Sequence, residues 1–203
     1  MTPIFFRRFL SQAVVAAALL ALVTAGCGRR ESSPVPKPEG WPRIEMPAPD
    51  FRPYGCGGVE LLVNSEASIS SREADDGKGR WIDVAYPGIT DARIYLSLTS
   101  AGSGEELERA LANRHERMEL NSAGARTEII QLTSEAGWEC ELALTRSSVT
   151  TPVQLLAHDG AGRMLSGALY LNLPPGTPPD SIAPVVEAVS RDLTEMLKHL
   201  RDR

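Results

Sequence analysis

The chain has 203 residues, with 21 lysines and arginines against 26 aspartates and glutamates, a formal net charge of −5. An acidic balance of this kind argues against a nucleic-acid partner, because phosphate binding needs clustered lysine and arginine. The length is that of one ordinary domain, with enough chain left over for a leader and a tether.

The N-terminus is organised as a leader. Arg7 and Arg8 close a short basic region, and an apolar run from Ala13 to Val23 follows. That run is about half the ~20 residues a helix needs to cross a bilayer, so a cleaved secretory signal is expected over residues 1–26. Thr24-Ala25-Gly26-Cys27 then looks like a bacterial lipobox, in which small residues precede a cysteine that receives diacylglycerol. The competing reading is an ordinary secretory peptide with a chance cysteine after Gly26. Two arginines, an apolar run, small residues and a cysteine in that order favour lipidation of Cys27. Two or three acyl chains would hold the protein stably on a membrane. Loss of residues 1–26 removes two arginines and no acid, so the mature chain carries 19 basic against 26 acidic residues, a net charge near −7. Gly28 rather than Asp follows Cys27, which argues against retention in the inner membrane and for the outer one.

Residues 27–52 comprise the acylated cysteine and a stalk, with Pro34, Pro36, Pro38, Pro42, Pro47 and Pro49 favouring extended geometry at ~3.1 Å per residue. A single domain is expected over 53–203. Short alternating or β-rich stretches predict strands at Val59–Val63, Trp81–Tyr86 and Ala92–Leu98. Asp75–Gly79 reads as a long loop and Pro87–Asp91 as a tight turn. Ser103 and Glu106 have capping-box spacing, and Leu107, Ala110, Leu111 and Met118 form one apolar stripe of a helix that ends at Asn121–Gly124. Four strands follow at Arg126–Leu132, Trp138–Leu144, Val153–Ala157 and Met164–Leu173, the last two joined by a glycine-bearing hairpin loop at His158–Gly162. A final amphipathic helix is expected from a cap at Asp180, with Pro184 in its first turn, along Ile182, Val185, Val189, Leu193, Leu197 and Leu200, with Lys198, His199 and Arg201 near its negative end. The expected fold is therefore α+β: an antiparallel or mixed sheet of about seven strands with two amphipathic helices on it.

Chemistry is sparse. His115, His158 and His199 are scattered, with no cysteine or carboxylate at metal-ligand spacing, and are read as solvated or structural. No nucleophile elbow, phosphate loop or zinc-protease motif occurs. Gly55-Cys56-Gly57-Gly58 follows Pro53-Tyr54 rather than a strand, so its glycines are read as slack between stalk and sheet. Asp75-Asp76 lacks the ladder of carboxylates that calcium requires. No catalytic residue, metal or cofactor is assigned. Cys56 and Cys140 remain in a compartment where disulfides persist, and a bridge between them competes with the reading of Cys140 as a small buried hydrophobe.

Several stretches together resemble the gliding-motility lipoprotein GldD family. They are Pro36-Lys37-Pro38 with Arg43-Ile44, Pro53-Tyr54-Gly55-Cys56, Tyr86-Pro87 leading to Ala92-Arg93-Ile94-Tyr95-Leu96, Gly167-Ala168-Leu169-Tyr170-Leu171-Asn172, and Asp180-Ser181-Ile182-Ala183-Pro184-Val185. The resemblance implies an accessory role in gliding motility or type IX protein secretion without enzymatic activity, with other envelope proteins as partners. It also implies a second cysteine just before the second strand, about where this chain has Arg80. The element order is similar to PsbP-like domains at the level of fold alone. The leading expectation is a non-catalytic, lipid-anchored envelope protein, on the outer membrane facing the periplasm. The alternative is a periplasmic lipoprotein that binds a small molecule or peptide in a pocket between sheet and helix.

Overall fold

The computed structural model describes residues 47–203 apart from 76, 90, 91, 148, 173 and 175. The leader, Cys27 and the stalk to residue 46 lie outside the described residues, as do Asp76 of the acidic loop, Thr90, Asp91 and Leu173. In chain order the elements are β1 (Phe51–Cys56), β2 (Val59–Asn64), β3 (Ser68–Glu73), β4 (Gly79–Ala85), β5 (Ala92–Ser100), α1 (Gly104–Ser122), β6 (Thr127–Thr133), β7 (Glu139–Thr145), β8 (Val153–His158), β9 (Arg163–Leu171), α2 (Pro179–Lys198) and β10 (Arg201–Asp202). Seven strands form one sheet in the order β3-β4-β5-β9-β8-β7-β6, and β1-β2-β10 form a small second sheet. Neighbouring strands run antiparallel throughout, and the fold is α+β.

Register explains the layering. Ile82, Leu96, Gly167, Leu155, Leu142 and Ile130 stand directly opposite one another across six strands, so alternation places one apolar row on the inner face. Against that face lie Ile182, Val185, Val189, Leu193 and Leu197 of α2 and Val59, Leu61 and Val63 of β2, in one continuous core. Each such side chain contributes roughly 1.5–3 kcal/mol when fully buried. Gly167 is required in its row: a Cβ there would stand 2.5 Å from both Leu96 Cδ2 and the Tyr95 carbonyl oxygen.

Three strands escape the sequence pattern. β1 contains Pro53 and Gly55, and proline is tolerated because β1 pairs only with β2 and is an edge. β3 is serine-rich and places only Ile69 toward the core, so it has no alternation to detect. β10 is two residues long and adds to β2 where a continuing helix was expected. Gly57 and Gly58, read as slack, instead make the tight turn of the β1–β2 hairpin, with φ of 58° and 79° at its two central positions. Helix α2 starts earlier than expected. Pro178 is its cap, Pro179 its first residue, and Asp180 sits in the first turn, where its charge meets the positive end of the dipole. Pro184 consequently falls in the second turn, exposed. Ser103 caps α1 as expected, its Oγ accepting from the Glu106 amide at 3.2 Å, but the Glu106 carboxylate takes the Gly102 amide, at 2.8 Å, in place of the cap amide that a capping box uses. Its C-cap is Ala123 in the left-handed region at φ 52°.

A buried carboxylate ties the start of the domain to the core. Asp192 Oδ2 accepts from Asn64 Nδ2 at 2.9 Å and from the Tyr86 hydroxyl at 3.0 Å, while its Oδ1 accepts from Arg191 at 3.1 Å. Asn64 also donates to the Ala48 carbonyl at 2.8 Å, and Arg191 to the Pro47 carbonyl at 3.4 Å. The last stalk residues are thereby held to β2 and α2 by the same network.

Candidate functional site

The opposite, outer face of the large sheet is where the domain has unusual chemistry. Its rows follow from the register: Trp81, Ser97, Ser166, Leu156, Glu141 and Gln131 in one, and Asp83, Tyr95, Ala168, Gln154, Ala143 and Ile129 in the next. Helix α1 lies across the middle of this face with little apolar contact. Leu107 packs on Leu156 and Met164, with Ala110, Leu111 and Met118 partly buried beside them. A polar seam does the rest. Gln154, 3% exposed, donates to the Met118 carbonyl at 3.1 Å and accepts from Asn121 Nδ2 at 3.0 Å.

The helix divides the outer face into two flanks, and a concavity opens on each. On the β4–β5–β9 side is a cleft of about 320 Å³ walled by Trp81, Tyr95 and Tyr170 from the sheet and by Arg114 and Arg117 from α1. The two tyrosine rings meet edge to face with centroids 5.3 Å apart, and the Arg72 guanidinium lies 6.0 Å from the Trp81 ring centroid. No carboxylate lines this cleft. Burial first, and then the charge of Arg117, push the Arg114 guanidinium below its ordinary pKa, with Tyr170 opposing. On the floor, Ser166 Oγ is buried without a hydrogen-bond partner. On the other side of α1 a groove of about 510 Å³ is lined by His115, Glu139, Glu141, Leu156 and His158. His115 Nε2 stands 3.5 Å from Glu141 and His158 Nε2 3.6 Å from Glu139. The two concavities thus carry opposite charge.

The residues singled out in the sequence are mostly elsewhere. Cys27 lies outside the described residues. Cys56 and Cys140 are both buried free thiols, so the bridge weighed from sequence is absent in this structure. Cys140 faces the end of α2, its Sγ 3.4 Å from the Trp138 carbonyl oxygen and 3.9 Å from that of Leu197. Arg80, at the position where the resemblance implies a cysteine, lies against Gly57 beside Cys56: a Cβ on Gly57 would be 3.2 Å from Arg80 Cδ. His199 pairs with Glu135 at 2.9 Å, so all three histidines have carboxylate neighbours. Among the described residues no group of three histidine, cysteine or acidic side chains could hold a metal ion. Sequence reasoning did not single out the aromatic cleft. Its signals were large aromatics on the polar side of two alternating strands, at Tyr95 and Tyr170, and Arg114 and Arg117 with no acid three or four residues away on α1.

Comparison with known proteins adds two findings. A family model described as gliding motility lipoprotein GldD matches residues 31–201. The solution structure of cyanobacterial PsbP (CyanoP) from Synechocystis sp. PCC 6803 is similar at a TM-score of 0.43 and 9% identity, covering 76% of this chain and 93% of that one. No curated protein matches the chain.

Proposed function

The chain belongs to the gliding motility lipoprotein GldD family, and on that premise we propose that it serves as a non-catalytic accessory component of a gliding or type IX secretion assembly. As a member of a lipoprotein family it is a membrane-anchored protein of the cell envelope. In the proposal the anchor is diacylglycerol on Cys27, the membrane is the outer one, and the domain faces the periplasm. The observation that supports a partner-binding role is the distribution of exposed apolar surface. The large hydrophobic residues exposed among the described ones are Trp81, Tyr95, Leu120, Ile129 and Tyr170. All five belong to the outer side of the sheet or to α1, which covers it. Aromatic side chains gathered on one side, next to charged clefts, are the usual material of a protein interface.

Site-specific photocrosslinking in cells tests this reading. A photoreactive residue at Leu120 or Ile129 should capture an envelope protein whose own loss stops motility or secretion, and the same residue at Glu187, exposed on α2, should not. Equal capture from both faces, or unaltered motility and secretion after deletion of the gene, would refute it. A second reading, a periplasmic module that binds a small molecule or peptide, is favoured by one observation: the buried, unpartnered Ser166 hydroxyl at the floor of the aromatic cleft.

A further inference from the structure

The cleft between α1 and strands β4, β5 and β9 brings together three features that a bound ligand would satisfy. The Ser166 hydroxyl has no partner although the residue is only 3% exposed, and a buried polar group left unpaired is destabilising. Arg114 and Arg117 stand three residues apart on one face of α1, so two like charges adjoin, Arg114 half-buried and Arg117 exposed. Neither forms an ion pair with any carboxylate of the described residues, and Arg117 donates only to Asn113 Oδ1 at 3.0 Å. The Trp81, Tyr95 and Tyr170 rings are 39%, 42% and 41% exposed. The remaining polar groups of the lining are uncharged, and Gln154 and Asn121 are hydrogen-bonded to each other.

Each feature selects for part of a ligand. A guanidinium pair without a counter-charge, in a protein otherwise acidic, calls for an oxyanion, whose geometry matches the guanidinium fork. Three aromatic walls call for a flat apolar body. A volume of about 320 Å³ is at the small end of ligand sites and admits one ring system with its head group. We propose that this cleft binds a small aromatic molecule bearing a carboxylate or phosphate. Its ring would lie against Trp81, Tyr95 and Tyr170, its oxyanion on Arg114 and Arg117, and one of its polar atoms on Ser166. The proposal deepens the second reading above and rests on it.

The test titrates phenylacetate, phenyl phosphate and neutral phenylacetamide into the detergent-solubilised lipoprotein, with binding followed by ligand-observed NMR. At least one anion is expected to saturate, with phenylacetamide about tenfold weaker or worse, because the charge-assisted hydrogen bonds to arginine are lost. The tighter of the two anions identifies the head group. Arg114→Gln combined with Arg117→Gln should remove that preference for the anions, with an unchanged circular dichroism spectrum and urea midpoint showing that the variant is folded. Ser166→Ala should weaken all binding a few-fold, roughly the loss of one hydrogen bond. Equal affinity for the anions and the amide would overturn the oxyanion inference while leaving a solute-binding module standing. Absence of saturable binding by all three would overturn both. Undiminished anion binding by the double arginine variant would place the ligand elsewhere and refute the assignment.

Discussion

Replacing Asp192 by alanine should be among the most damaging single changes in the domain. The side chain is 3% exposed and accepts from Asn64, Tyr86 and Arg191. Its removal leaves the Tyr86 hydroxyl and one Asn64 hydrogen buried without an acceptor, at about 1–3 kcal/mol each. It also strips a charge partner from Arg191. The two unpaired groups together come to about 2–6 kcal/mol, a large share of the ~5–15 kcal/mol that holds a domain folded, and Arg191, whose side chain is 44% exposed, adds little. Urea unfolding of Asp192→Ala, Tyr86→Phe and the double variant measures it. Tyr86→Phe alone should cost about 1 kcal/mol, but once Asp192 is gone it should recover about 1–3 kcal/mol, since it then removes a buried hydroxyl that has no acceptor. The same residue sets a pH dependence. Burial, followed by the charge of Asp192 and the hydrogen bond to it, holds the Tyr86 phenol far above its ordinary value of 10.0. A raised phenol pKa in the folded state means stability that is intact below pH 10 and falls as pH rises beyond it, and Tyr86→Phe should flatten that fall. A cost below about 1 kcal/mol for Asp192→Ala, or a Tyr86→Phe effect independent of Asp192, would refute the network as described.

Other outcomes follow from single positions. Burial pushes the Cys140 thiol up from 9.0 to about 11, a backbone hydrogen bond opposing, so stability should decline between those two values and Cys140→Ala should reduce the slope; an unchanged slope in denaturant titrations would refute it. Gly167→Ala drives a Cβ into Leu96 and the Tyr95 carbonyl, and should lower stability by about 3 kcal/mol, read from the shift in thermal or urea midpoint. Ala123→Gly should act in the opposite direction, since alanine occupies a left-handed C-cap at φ 52°; a gain of about 1 kcal/mol is expected, and a loss would show that the cap conformation is not strained.

The architecture was legible where alternation survives burial. β5 and β7 repeat apolar residues at every second position because one face is core, and the helix stripes of α1 and α2 match their buried sides. It was not legible at β1, β3 and β10, where an edge position removes the demand for pattern: Pro53 and Gly55 sit in β1, and three serines and two charged residues make up all of β3 but Ile69. The α2 start was misplaced because two prolines and an aspartate all suit the first turn, and geometry alone decides which one caps. The outer cleft is a different case. Tyr95, Arg114, Ser166 and Tyr170 come from three elements, and only the β5–β9 pairing under α1 brings them together. Each looks like a solvated residue when read alone along the chain.

The division of the outer face by α1 has a consequence for recognition. With guanidinium groups on one flank of the helix and Glu139 and Glu141 on the other, the surface has a direction, like a keyed connector. A body with a matching pair of charges that approaches rotated by half a turn brings like against like, which costs several kcal/mol. Apolar contact alone could tolerate either orientation; the polarity of this face permits one.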